Sequence, residues 1–340
     1  MSCHESLRAE SHVNYKDLKP LTALPCNQFV DLVSREDYEG ALQLADSLIK
    51  SDPEDLGGYF LRLTALNNRS IDYEDVEDLP ALEIVADSVE AMADRRIAGG
   101  DGSALVRFYR GSVEGFRMVH ELRTHSYLEA ILHGRRAADW LEKSIGIDST
   151  LYDAYVGLGN YYYFKSSYSG VLRSTGIIAD QREEGKRLLR VAAERGLLTR
   201  LAGISSLAWI AIAEQNYDLA MDLANRLLSL YPKNRAFHWC IGRAQMKSQR
   251  WNEAVVTYTA LLNSVRRLPR NNHYNEIGCL HSLAQASSHI GNWQDVAKYA
   301  DEALALNLDR YVATKKKEDI KRLKILRIES QKKLAANNRK

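Results

Sequence analysis

The 340-residue chain is short of the residues that break or staple a fold. It has six prolines and four cysteines, and its twenty glycines are scattered rather than clustered. So little proline argues against a string of linkers and for long helices joined by short turns. The cysteines, Cys3, Cys26, Cys240 and Cys279, show no CxxC spacing and no grouping with histidine. That excludes a zinc or redox motif and a disulfide framework, and fits a reducing compartment. No run approaches the ~20 apolar residues of a membrane span. The stretch from Met1 to Pro20 is polar and lacks the apolar segment of a signal peptide. As written the chain reads as cytoplasmic; a signal upstream of the given sequence would instead make it an exported, periplasmic protein.

Catalytic motifs are lacking too. Gly157-Leu158-Gly159 has no strand before it, so it is no dinucleotide loop. Gly99-Gly100-Asp101-Gly102 is not followed by the Lys-Ser/Thr of a phosphate loop and reads as a turn. His281 and His289 stand two turns apart without the acid of a zinc-protease helix, and Asp72 to Glu77 lacks calcium-loop spacing. No catalytic residue, metal site, cofactor or small-molecule substrate is expected.

What is present is an ordinary folded composition, 45% hydrophobic and 26% charged, with an uneven charge distribution. The formal net charge is +2, yet Arg310 to Lys340 alone holds twelve Lys/Arg against three acids. A mildly acidic body therefore carries a basic tail.

The body is repetitive. One unit opens at Tyr152 with Tyr155, Leu158, Gly159 and Tyr162, a single helix face on which glycine admits a neighbouring helix. A second runs Ile204, Leu207, Ala208, Ala211, then Tyr217, Ala220, Ala224, Leu227, closing at Tyr231-Pro232. A third runs His238, Ile241, Gly242, Gln245, then Trp251, Ala254, Tyr258, Leu261. A fourth runs Leu280, Leu283, Ala284, Ser287, then Trp293, Val296, Ala300, Ala303. Tyr217 to Trp251 and Ala220 to Ala254 are both 34 residues, the period of a two-helix repeat. Weaker copies precede these: Tyr38, Ala41, Ala45 and Leu48 with Pro53, then Tyr59, Leu63 and Leu66, then a pair over roughly Ser103–Leu122 and Tyr127–Ile147. Two connections look too long for plain repeats, Asn67 to Pro80 and Ser169 to Asp180.

These units resemble tetratricopeptide repeats across about residues 29 to 309. The order of Gly58-Tyr59-Phe60, Phe108 to Gly111, Tyr152 to Gly159 and Arg182-Glu183-Glu184-Gly185 is similar to a group of bacterial tetratricopeptide proteins, often exported and mostly of undefined function. The Tyr-Tyr-Tyr-Phe-Lys-Ser run is also similar to a eukaryotic tetratricopeptide-like family linked to inclusion-body and lipid-droplet handling. The resemblance implies an all-α, right-handed superhelical solenoid of helical hairpins. It divides the chain into a polar N-terminal segment (1–26), degenerate repeats (27–150), clear repeats (151–309) with an insertion at 169–180, and a basic capping helix or tail (310–340).

In such arrays the first helix of each hairpin lines a concave groove. The residues this implies there are Asn160, Tyr163 and Phe164, then Trp209, then Trp239, Arg243, Met246 and Lys247, then His281 and Gln285. Aromatic and arginine side chains concentrate binding energy, so the expected role is a non-catalytic scaffold or adaptor for a peptide or protein segment. The carboxylate clamp of chaperone-binding repeats is absent, since Val156 and Ser205/Ser206 stand where its polar residues would. Val171, Leu172, Ile177 and Ile178 in the insertion are expected to plug the solenoid, the alternative being a partner site. The alternative function is an envelope or membrane-peripheral protein that docks on anionic lipid through 310–340; no specific nucleic acid is expected.

Overall fold

The structure, a computed structural model, describes residues 20–124, 126–168 and 179–337. Residues 169–178 of the insertion, with the four apolar side chains expected to plug the solenoid, lie outside the described residues, as do residues 1–19. Among the described residues the protein is all-α, with no strand. Helix α1 (Pro20–Ser34), α2 (Tyr38–Ser51), α3 (Leu56–Tyr73), α4 (Leu79–Ala98), α5 (Ala104–Thr124), α6 (Tyr127–Ile147), α7 (Ala154–Tyr168) and α8 (Arg182–Arg195) come first. They are followed by α9 (Arg200–Ala213), α10 (Tyr217–Leu230), α11 (Arg235–Lys247), α12 (Trp251–Val265), α13 (Tyr274–His289), α14 (Trp293–Leu304), α15 (Arg310–Lys315) and α16 (Lys317–Asn337). Helix α1 starts at Pro20, inside the stretch assigned above to the polar N-terminal segment.

The chain divides into two compact units, one of Met1–Asn68 with Asp78–Leu207, the other of Arg69–Glu77 with Ala208–Lys340. In the first unit, Leu63, Leu82, Val89, Val113, Leu158 and Leu189 are buried between successive helices. Phe60, Phe108 and Tyr109 cluster with ring centroids 4.7 to 5.6 Å apart. The close approach expected at Gly159 is made with Gly185 of α8. A Cβ at position 159 would lie 2.8 Å from the Gly185 carbonyl oxygen, and one at 185 would lie 2.6 Å from the Gly159 carbonyl oxygen. Only two glycines let these backbones cross at that distance.

In the second unit, Leu261, Ile277, Leu280 and Leu283 form the core, and α16 lies on α13 and α14. Leu323 of α16 is fully buried there, with Ile320 and Leu326 packed at its sides. Arg327 is paired to Asp301 at 2.5 Å, and Lys333 sits over the Trp293 ring. The cationic face of α16 points away from the core, as amphipathic packing requires.

One turn recurs in both units and makes the repeat visible in the backbone. Glu36, Gln215, Gln249 and Gly291 all adopt positive φ, between 61° and 77°. Each stands two residues before the aromatic that opens the next helix: Tyr38, Tyr217, Trp251 and Trp293. The residue after each of them donates its N–H to a carbonyl five residues back, as in Asp37 to Leu32, Asn216 to Ala211, Arg250 to Gln245 and Asn292 to Ser287, at 2.8–2.9 Å. This left-handed C-terminal cap satisfies the carbonyls that the ending helix leaves unpaired. Asp37, Asn216 and Asn292 then cap the following helix through their side-chain oxygens.

Candidate binding surface

The recurring turn supplies a structural register for the second unit. Counting back six residues from Gln215, Gln249 and Gly291 reaches Trp209, Arg243 and Gln285; counting back ten reaches Ser205, Trp239 and His281. Positions equivalent in this register occupy the same place on successive hairpins. Trp209 is 39% exposed, a large fraction for an indole. Trp239 is half-buried, edge-on to Tyr258 with centroids 5.7 Å apart. Its Cη2 atom lies 3.3 Å from where a Cβ on Gly278 would stand, so this glycine makes room for the indole. Arg243 and Lys247 are exposed, and among the described residues neither has a carboxylate within salt-bridge distance. Met246 and Gln285 are half-buried, Met246 against the core.

His281 is not a free groove residue. It is buried, with Nδ1 3.5 Å from an Asp319 carboxylate oxygen of α16. Burial holds its pKa below the usual imidazole value; Asp319 pulls it up, and Arg322, Lys316 and Arg243 push it down. The basic tail therefore lies over the side of α13 that carries His281, a placement that periodicity within the repeats could not reveal.

The first-unit candidates have mostly structural surroundings. Asn160 donates its amide to Ser206 Oγ at 3.1 Å, joining α7 to α9. Tyr163 is 3% exposed, and its backbone N would stand 2.8 Å from a Cβ on Gly185, so its backbone belongs to the helix crossing and its side chain is buried rather than open to a ligand. Phe164, edge-on to it, is at the surface. Asp153 accepts from the Leu198 and Thr199 amides and the Thr199 hydroxyl, each at 2.9 Å. Its pKa is raised by burial against these hydrogen bonds.

Two charged assemblies escaped the sequence. On α4 and α5, Arg110 pairs with Glu90, Asp94 and Glu114, and Arg117 with Glu83, Asp87 and Glu90. His133 Nδ1 reaches Glu114 at 2.6 Å. Burial pushes the Glu114 carboxyl up, but hydrogen bonds from His133 and Arg110 outweigh it and hold it below the ordinary value. The second assembly corrects the expected long connection from Asn67 to Pro80. Helix α3 runs on to Tyr73, and its end belongs with the second unit. Arg235 makes a two-pronged pair with Asp72, and Asn275 donates to the Asp72 carbonyl at 2.8 Å. Asn272 donates to the Glu74 carbonyl, while Arg270 contacts Asp75 and Glu77 and covers the Tyr73 ring. The acidic residues of this stretch were visible in the sequence, but their partners lie far along the chain.

A tetratricopeptide repeat family model matches residues 206–234, the end of α9 through α10. The chain is also similar in structure to the Cut9–Hcn1 hetero-tetramer of the APC/C, with a TM-score of 0.56 and 16% identity over 90% of this chain. It spans about half, 51%, of that chain's length. Residues 206–234 are a tetratricopeptide repeat, and the fold of the chain is that of a tetratricopeptide solenoid. YrrB, described as a TPR protein with an unusual peptide-binding site, aligns at a TM-score of 0.44 and 16% identity, covering 66% of this chain and 97% of its own. Comparison with curated proteins finds no match. In the tetratricopeptide frame, Trp209, Trp239 and Arg243 stand on first helices, and α16 follows the last hairpin.

Proposed function

We propose that this chain is a non-catalytic interaction scaffold that holds a peptide or protein segment on the first-helix face of its second unit, through Trp209, Trp239, Arg243 and Lys247. Tetratricopeptide repeat proteins are in general non-catalytic scaffolds that bind protein or peptide partners. The observation that carries the reading is the exposed Trp209 in register with an ion-free Arg243, beside Trp239 on the same helix as Arg243. An exposed indole and an unpaired guanidinium add nothing to folding, yet they are the side chains that dominate binding energy at interfaces. Met246 and Gln285 belong to the proposal as secondary contacts, and Asn160, Tyr163 and His281 as residues that hold the helices in place.

The test is affinity capture from source lysate with wild type and a Trp209→Ala/Arg243→Ala variant, the bound proteins being identified by mass spectrometry. Both substitutions are at exposed positions, so the melting curve should stay within a few degrees of wild type, a shift of about 0.5 kcal/mol or less. A partner held by wild type and lost by the folded variant supports the reading. Identical capture by both overturns it.

One observation favours a second reading, docking on anionic membrane through α16. Ile325 and Ile328 are exposed between Lys324, Arg327 and Lys332, a pattern suited to an anionic interface. Salt-sensitive co-sedimentation with phosphatidylserine vesicles, lost in an Ile325→Ser/Ile328→Ser variant, is its expected outcome; no sedimentation rules it out.

A further inference from the structure

Lys316 and Asp319, which the repeat pattern does not contain, form a charged cluster with His281 and Tyr274 of α13, and Arg322 follows one turn on along α16. Lys316 Nζ lies 3.4 Å from one Asp319 oxygen, and His281 lies 3.5 Å from the other. The same ammonium sits 3.9 Å above the Tyr274 ring and 3.5 Å from a Cβ position on Gly278, the residue that also meets Trp239. Arg322 stands one turn beyond Asp319 on α16 and Arg243 one turn beyond Trp239 on α11, both exposed, and both act electrostatically on the His281 ring. Lys316 alone of these cations contacts the Asp319 carboxylate, and Arg243 and Arg322 have no acidic partner of their own among the described residues.

Such an arrangement is costly to leave unbalanced. Neighbouring cations repel one another; at Lys316, which is largely buried, low polarity strengthens the attraction of an anion, while the exposed Arg243 and Arg322 can meet one from solvent. Asp319 already shows what the site accepts, a carboxylate held between an imidazole and an ammonium. The aromatic neighbours Trp239 and Tyr274 favour a partner with apolar or aromatic residues beside its acids.

We propose that the Arg243–His281–Lys316–Arg322 cluster is a subsite for the carboxylates of an acidic peptide segment, with Trp239 and Trp209 taking its apolar side chains. This rests on the scaffold reading above and specifies the partner's chemistry: glutamate or aspartate alternating with an aromatic residue. It needs no clamp at the chaperone-binding positions, which hold Val156 and Ser205 here. Half of the subsite, Lys316 and Arg322, comes from the turn between α15 and α16 and from α16 itself, so the last hairpin binds only with its capping helix in place.

The test uses the full-length chain and two fluorescein-labelled decapeptide pools. Both pools carry one tryptophan or tyrosine; one has glutamate at alternate positions, the other glutamine, of nearly the same shape. The glutamate pool is expected to bind at least about tenfold more tightly than the glutamine pool, and to weaken as salt rises from about 50 to about 300 mM. Arg243→Glu/Arg322→Glu should erase that difference, and Trp209→Ala should weaken both pools. Melting curves establish that the variants are folded. Equal binding of the two pools, unchanged by the charge reversal but lost with Trp209, overturns the acidic subsite and leaves the scaffold reading standing. No binding of either pool overturns both. Tighter binding of single-stranded RNA or of phosphatidylserine vesicles through the same two arginines overturns the peptide assignment in favour of another polyanion.

Discussion

A single methyl group separates the observed helix crossing at Gly159 from a clash. Any Cβ there would meet the Gly185 carbonyl and Leu189 backbone N at 2.8 and 3.1 Å, both main-chain atoms that cannot rotate away. Gly159→Ala should therefore cost about 1–3 kcal/mol through overpacking, read as a lower denaturant midpoint. No loss would mean that α7 and α8 do not cross here. His281 makes a different residue-scale prediction. Its folded pKa is depressed by burial, so the folded state binds fewer protons than the unfolded chain. The associated stability is complete above the unfolded pKa, about 6.5, and is lost as pH falls through the lower folded pKa. His120, also depressed by burial, acts in the same direction. Unfolding midpoints should fall between about pH 7 and about pH 5, and His281→Gln should flatten the slope. An unchanged slope in that variant would place the proton uptake elsewhere. At this scale the sequence was half legible. Gly159 announced a close approach through its place on a helix face, whereas nothing local marked His281 as covered by Asp319, 38 residues onward.

Four helix connections, before Tyr38, Tyr217, Trp251 and Trp293, are the same left-handed turn, filled once by glycine and three times by Glu or Gln. A side chain with a Cβ is strained at positive φ, and glycine is not. Gln249→Gly should thus stabilise the α11–α12 hairpin by about 0.5–1 kcal/mol, visible as a raised melting midpoint. A drop would mean that the Gln249 side chain makes a compensating contact. The turn was legible in part. The aromatic after it and the 34-residue period were read directly, but a glutamine gives no sign of left-handed backbone. The end of α3 is hidden in the sequence for a related reason. Residues 67–73 carry Asn, Ser and Asp, which compete with helix through their own side-chain hydrogen bonds. Tertiary partners such as Arg235 and Asn275 keep that end helical.

On the scale of the whole molecule, the second unit is not continuous in sequence, because residues 69–77 belong to it. Asp72 and Arg235 are 163 residues apart, and their side chains are nearly buried, at 11% and 10% exposure. Asp72→Ala would leave the guanidinium buried without its carboxylate, a loss of about 3–5 kcal/mol by comparison with other broken buried pairs. Replacing both residues with apolar side chains of similar volume should recover much of this. Chemical denaturation of the single and paired variants measures the difference. Additive losses would show that the pair is not coupled.

The sequence by itself determined that the chain is helical, that its helices come in repeating pairs, and which positions are small for close crossing. Those properties depend on residues a few places or one repeat apart, where periodicity reports contact directly. Only the tertiary structure decided that Tyr163 is buried, that residues 69–77 lie with the second unit, and that Asp319 stands against His281 with Lys316 beside it. Charged side chains carry no periodic signature of their partners, and ion pairs between distant segments form only once the apolar faces have placed the helices.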